Sequence, residues 1–208
     1  MVKCSEEHQI TNEEQLRHLL GYPSELVKNK VMHHMDAHIR DFILRSPMLF
    51  LATSDGQGAC DVSPRGDEPG FVHILDDHHL VIPERPGNRR MDSLRNLLEN
   101  PHAGLIFVIP SLEETLRING KAKITTDPEL MQHMAVRGKP PLLGIAIEVQ
   151  ECYLHCAKAF KRSRLWEPAA WPHADELPEP AKILAAHAGT NEIQVAQSLK
   201  ESYEKRLY

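Results

Sequence analysis

The chain has 208 residues, of which 41% are hydrophobic and 25% charged, with a formal net charge of −5. That allows one sizeable domain with a core and excludes a disordered polyelectrolyte. The negative balance argues against broad capture of a nucleic-acid backbone, and the longest apolar stretch, Ala103 to Ile109, is too short to span a bilayer.

The N-terminus turns acidic at once and lacks the apolar core of a secretory signal, so a cytoplasmic location is expected. In that reducing compartment Cys4, Cys60, Cys152 and Cys156 are expected to be free thiols. From Ser24 to Arg45 the apolar positions Val27, Val31, Met35, Ile39 and Phe42 recur at helical spacing, and Pro47 ends the run. A strand Met48 to Thr53 then turns over at Ser54-Asp55-Gly56 into a second, Ala59 to Pro64. Gly70 to Leu75 and His79 to Pro83 read as two more strands, joined at Asp76-Asp77-His78.

At Asn88 to Asn100 the period changes: Met91, Leu94, Leu97 and Leu98 share a helical face, with Asn88 placed to cap it. Ala103 to Ile109 and Glu114 to Thr126 read as longer strands, the latter with Gly120 marking a bulge. Asp127-Pro128 opens a short helix, Leu143 to Val149 is a further strand, and Cys152 to Phe160 reads as helix. From Glu167 four prolines predict a loop before a last helix, Ala181 to Tyr203. Five to seven strands in mainly hairpin order, with one inserted helix, predict an antiparallel barrel.

Two arginine-rich clusters, Arg85 to Arg95 and Lys158 to Arg164, suit a small anion, because the guanidinium fork matches phosphate. At Pro83-Glu-Arg-Pro-Gly-Asn-Arg-Arg a glycine precedes a helix start, offering free N–H groups beside Arg89 and Arg90; a solvated helix start is the alternative. At Ser63-Pro-Arg-Gly-Asp, Pro64 cannot donate to a ladder and leaves backbone groups free for a ligand, or forms an ordinary turn. Arg117 and Asn119, two apart on a strand, can point into one cleft, although an exposed ion pair at Arg117 also fits. Lys158, Lys161 and Arg162 share a helical side ahead of Trp166, as anion binding beside an aromatic wall requires and as a solvated basic helix end also allows. His34 and His38 have metal-ligand spacing, and Cys152, His155 and Cys156 cluster, yet neither set supplies a full ligand shell. There is no Walker-type loop and no dinucleotide fingerprint.

Taken together, Ser63-Pro-Arg-Gly-Asp, Asn88-Arg-Arg, Glu114-Thr-Leu-Arg-Ile-Asn-Gly and the segment His155 to Trp166 resemble the pyridoxamine 5'-phosphate oxidase-like, FMN-binding family over roughly Ile39 to Pro168. The resemblance implies a mainly β fold with flanking helices: a six-stranded antiparallel split β-barrel, homodimeric, with an FMN in each interface cleft. It implies that Asp61, Val62, Ser63, Pro64 and Arg65 lie along the flavin ring and that Asn88, Arg89 and Arg90 hold its phosphate. Arg117, Asn119, Lys158, Arg162 and Trp166 are implied to line the same site, some from the other subunit. The chain divides accordingly into an N-terminal helical segment packing on the barrel (1–46), the barrel (47–166), and a proline-rich loop with a C-terminal helix (167–208).

The implied function is FMN-dependent oxidoreduction of a small molecule, with a reduced nicotinamide, NAD(P)H, as a candidate electron donor, and no nucleic-acid or membrane partner. The alternative is a flavin- or haem-binding module without turnover, used for storage, sensing or delivery. The chain lacks the named oxidase's arginine-containing C-terminal strand ending, so the resemblance speaks for fold and cofactor ahead of substrate.

Overall fold

The structure, a computed structural model, describes Ser5 and residues 8–208. The acidic start of the chain and Cys4 lie outside the described residues. Two compact units divide at Val31/Met32. The first carries helices α1 (Glu13–Leu20) and α2 (Glu25–Asn29). Asn12 caps α1 through its side chain, which accepts from Gln15 N–H at 3.0 Å, and Gly21 closes it in a positive-φ conformation (73°).

The single helix expected over Ser24 to Arg45 does not form; α2 stops at Asn29 and α3 runs from Ala37 to Arg45. Two backbone interactions outweigh the helical period. Met32 gives its N–H and C=O to Cys152 at 2.9 and 2.8 Å, and Asp36 starts a new helix by accepting from Ile39 N–H at 2.9 Å. Met35 and Ile43 then enter the core of the second unit.

That core lies under one antiparallel sheet. Its strands are β1 (Met48–Ser54), β2 (Cys60–Gly66), β3 (His73–Ile74), β4 (His79–Pro83), β5 (His102–Val108), β6 (Thr115–Thr125) and β7 (Gly144–His155). They are ordered β2-β1-β5-β6-β7-β4-β3, seven strands where the resemblance implied six; the extra one is the two-residue β3. The expected helix over Cys152 to Phe160 is also corrected. Residues 152–155 extend β7, because they complete the ladder to β6 from Thr115 to Ile118, and only Lys158–Ser163 is helical (α6).

Directly paired residues project to the same side of a sheet, so the register defines two faces. Ser63, Leu51, Leu105, Ile118 and Cys152 form one inward row, and Arg65, Leu49, Phe107 and Leu116 the next. Outward rows run Val62, Ala52, Gly104, Asn119, Glu151 and Pro64, Phe50, Ile106, Arg117, Tyr153. Gly120 does mark a bulge: the β6/β7 register shifts between Asn119 and Gly120. A Cβ there would run into the Glu148 carbonyl and lie 3.1 Å from Ile147 Cγ2.

The sheet's ends meet through side chains, which makes the barrel a split one. Arg65 of β2 lies 3.4 Å from Glu84, just after β4, and Arg85 Nε donates to Asp67 at 2.7 Å. Helix α4 (Asp92–Glu99) lies across β1 and β2 and turns Ser93, Leu94 and Leu97 inward. The face expected from Met91 to Leu98 is therefore rotated: Met91 and Leu98 are 57% and 77% exposed. Asn88 does not cap this helix; its side chain accepts from Arg90 N–H (2.9 Å) in a turn ahead of it.

Asp127 caps α5 (Pro128–His133) as expected, accepting from Leu130 N–H at 2.9 Å. The last predicted helix is two helices, α7 (Pro180–Ala188) and α8 (Glu192–Lys205). Gly189 (φ 62°) ends the first and Asn191 caps the second, so local termination signals divide the expected helix. Among the described residues no helix is long and apolar enough to cross a membrane.

Gly120→Ala is expected to lower stability by about 1–3 kcal/mol, because the backbone of Glu148 must move to admit one methyl. Urea denaturation would check this, and an unchanged midpoint would contradict the bulge's tight packing.

Candidate functional site

The polar centre of the molecule is Ser93, 3% exposed at the start of α4. Its hydroxyl donates to Asp61 Oδ2 at 2.6 Å, lies 2.9 Å from Ser63 Oγ, and accepts from Arg65 Nη2 at 3.4 Å. Three residues two apart on β2 thus converge on one helix residue, because alternation along a strand sends Asp61, Ser63 and Arg65 to the same side. Further along α4, Asn96 donates to Thr53 (3.1 Å) and Asn100, just beyond it, to Ser54 (2.8 Å), while Glu99 accepts from Gly56 N–H (3.2 Å). The helix is bolted to the β1–β2 hairpin by side chains.

The same alternation divides the segment Asp61 to Arg65. Val62 and Pro64 project to the outer face, on the rows that hold Asn119 and Arg117. Asn119 donates to Glu151 (2.6 Å) and Arg117 to the Tyr153 hydroxyl (3.1 Å), so each is braced by its neighbour on β7. The ion pair weighed for Arg117 is replaced by this neutral bond.

Along the Val62–Asn119 row, on the side toward Ser54, Cys60 and His102, lies an open cavity of about 400 Å³, lined among others by Ala52, Asp61, Val62, Gly104 and Asn119. Its floor is small by sequence: a Cβ on Gly104 would come within 3.2 Å of Asn119 Oδ1. Val62 (64% exposed) and Phe50 (38%) leave an apolar rim on the same face.

Ahead of α4, Arg89 and Met91 adopt left-handed backbone (φ 62° and 59°), a conformation that costs a non-glycine residue about 1 kcal/mol or more. Arg90 Nε donates to Asp92 at 2.8 Å, and that bond, with the Asp92 and Asp61 charges, holds its guanidinium above the ordinary arginine range. Arg90 is therefore within electrostatic reach of Asp61, which lines the cavity. Arg89 is exposed, with no hydrogen-bond or ion-pair partner among the described residues.

A second cleft, about 250 Å³, brings the two sequence-predicted segments together: Pro64 and Arg65 on one side, Arg85, Pro86 and Gly87 on the other, with Tyr208 in its wall. Burial pushes the Glu84 carboxyl up, which the charge of Arg65 only partly counters. Arg65 Nε and Glu84 Oε2 are buried without hydrogen-bond partners among the described residues, so charge alone holds this pair. Asp67 behaves oppositely. Burial would raise it, but the Tyr208 hydroxyl, the Glu68 N–H and Arg85 together hold it below its ordinary 3.8.

Lys158 and Arg162 are exposed on α6, and Lys161 pairs with Glu113. Trp166 stacks on Phe160 at 5.7 Å and donates to the Leu112 carbonyl at 3.0 Å. No hydrogen bond, ion pair or ring contact among the described residues joins Lys158, Arg162 or Trp166 to the β2 and α4 residues. His34 precedes α3 and His38 lies within it, so the two never share a helical face. No group of three or more His, Cys, Asp or Glu side chains among the described residues could hold a metal ion. Cys152 sits in the core, its thiol pushed up to about 11 by burial and by the Asp36 and Glu151 charges, and donates to the His34 carbonyl at 3.2 Å. Sequence reasoning missed Ser93 and Asp67; a serine in the first turn of an apolar helix was the available signal for the first.

Ser93→Ala should cost about 1–3 kcal/mol by stranding half-buried partners, measured by urea denaturation beside the wild type. Because the Asp67 pKa is lowered on folding, its contribution is present above 3.8 and fades as pH falls through and below that value. The stability gap between wild type and Asp67→Asn is therefore expected to be wide at pH 7 and to narrow toward pH 3; a constant gap would contradict the assignment.

A family model described as pyridoxamine 5'-phosphate oxidase matches residues 35–156. Similar solved structures include HupZ of Group A Streptococcus, at 19% identity over 57% of this chain and 92% of that one (TM-score 0.47). A putative pyridoxamine 5'-phosphate oxidase of Lactobacillus delbrueckii is 18% identical over 59% and 95% of the two chains (TM-score 0.45). HutZ of Vibrio cholerae, described as a heme storage protein, is 17% identical over 58% and 94% (TM-score 0.39). A search of curated proteins found no match. With the family model spanning more than half its length, and with β1 to β7 all inside that span, the chain belongs to the pyridoxamine 5'-phosphate oxidase family.

Proposed function

We propose that this protein binds FMN in a site completed by a second copy of the chain and uses it to oxidise or reduce a small molecule. The observation that carries this reading is the small-residue floor of the 400 Å³ cavity beside edge strand β2, whose Asp61 is in electrostatic reach of Arg90 in the strained turn ahead of α4. A planar ring needs a flat floor, and Ala52 and Gly104 supply one. It also needs donors and acceptors along one edge, and β2 has no strand partner on its outer side among the described residues. A phosphate needs positive charge, and Arg89 is unengaged while Arg90 would exchange Asp92 for it.

When bound, FMN would supply the electron-transfer chemistry. The chain's own residues would bind and orient: Asn88, Arg89 and Arg90 the phosphate, the Asp61–Arg65 strand the ring, and Arg117 and Asn119 the exposed edge. Tyr153 and Glu151 would fix those last two in place. The apolar rim of Val62 and Phe50 fits burial against a second copy, whose Lys158, Arg162 and Trp166 would close the cleft. A reduced nicotinamide is the expected electron donor.

Purified protein titrated with FMN should turn yellow and quench flavin fluorescence. Arg89→Ala should weaken binding by about 1.5–3 kcal/mol, roughly 10- to 150-fold, if a charged phosphate contact is lost. An equal dissociation constant would remove Arg89 from the site. Protein that stays colourless with FMN but gives a haem spectrum would replace this reading with a haem-binding one, and bound flavin that no nicotinamide reduces would leave a carrier without turnover.

A further inference from the structure

Tyr208 lies beyond the end of α8 and is held by three separate parts of the chain. Its hydroxyl donates to Asp67 Oδ1 at 2.7 Å, in the loop after β2, and Asp67 is itself only 2% exposed. The Arg85 guanidinium, after β4, lies 5.9 Å from the ring centre. From the loop between α5 and β7, Arg137 lies 5.0 Å from it, and Lys139 Nζ reaches the Tyr208 main-chain oxygen at 3.5 Å.

That last loop is built for presentation. Val136 and Lys139 pair across a two-residue turn, and both turn residues, Arg137 and Gly138, have positive φ (52° and 76°). Glycine adopts this backbone freely, but an arginine does so under strain. Here it is Arg137 that meets the tyrosine ring.

We infer that residues 206–208 form a strap that closes the second cleft, with Tyr208 seated on Asp67 as its clasp, and that the strap opens without unfolding the barrel. Leu207 and Tyr208 form part of the wall of the cleft that Pro64, Arg65 and Arg85 also line, and Tyr208 sits over the Arg85 guanidinium, so release of the strap widens the cleft and bares Arg85. The strap is held through the Tyr208 side chain and one lysine contact to its main-chain oxygen. Among the described residues it contributes no strand pairing beyond α8, so its release breaks no ladder. The closed strap also matters to Asp67, since releasing Tyr208 removes one of the donors that let this carboxylate remain charged out of water.

The inference goes beyond flavin binding and is tested without flavin. Wild type, Y208F and Y208A would be treated with phenylglyoxal, and modification of Arg65 and Arg85 followed by peptide mass spectrometry, with Arg45, its side chain 67% exposed on α3, as internal standard. Arg85 should react at least fivefold faster in Y208A than in wild type, with Y208F between them, while Arg45 is unchanged. Equal rates in all three proteins would overturn the strap. Hydrogen exchange in the wild type supplies the second readout: amides of residues 203–208 should exchange well ahead of those in β6 and β7. Exchange of both regions in step would show that the tail leaves only on global unfolding, and would overturn it equally. If FMN binds to none of the three proteins, the flavin reading fails while these two measurements still decide the strap.

Discussion

The arrangement of this molecule depends on one buried hydroxyl. A hydrogen-bonded side chain out of water must be fully partnered, and Ser93 meets that requirement by engaging Asp61, Ser63 and Arg65 together. Among the described residues β2 is an edge strand with a ladder on one side only, so without this network its register against α4 would be weakly defined. Arg65 extends the network to Glu84 and so to the far end of the sheet. The split barrel is closed by charge and hydroxyl groups in the place where a continuous barrel would have a strand pair.

Because the inner face of β2 is committed to this network, only the outer face is left free of it. There the residue types change: Val62 and Pro64 in place of Asp61, Ser63 and Arg65, small residues at Ala52 and Gly104, then Asn119 and Arg117. One strand thus serves two purposes through its two-residue period. Belonging to the pyridoxamine 5'-phosphate oxidase family accounts for the antiparallel frame.

Much of this was legible in the sequence where signals are local. The Ser54-Asp55-Gly56 turn, the strand His79–Pro83, the Asp127 cap and the Gly120 bulge follow from single residues or short periods. The two failures among the helices are alike: an apolar pattern at helical spacing predicts one helix over Ser24 to Arg45, and the end of the proline run predicts one over Ala181 to Tyr203, where in each case two form. Caps at Asp36 and Asn191 broke both. The Cys152 end of β7 was lost because strand pairing with β6 is a distant partnership that no local pattern reveals. At the site, the sequence pointed to the segments that meet at the second cleft but could not say that Asp61 to Arg65 divide between two faces, nor that α4 is rotated to put Ser93 inward.

The free edge of β2 has one more implication. An exposed row of unpaired amides is a template on which another chain can add, and from there fibres grow. Pro64, which lacks an N–H, interrupts that template at mid-strand. That break in the row guards the protein against polymerising through this edge.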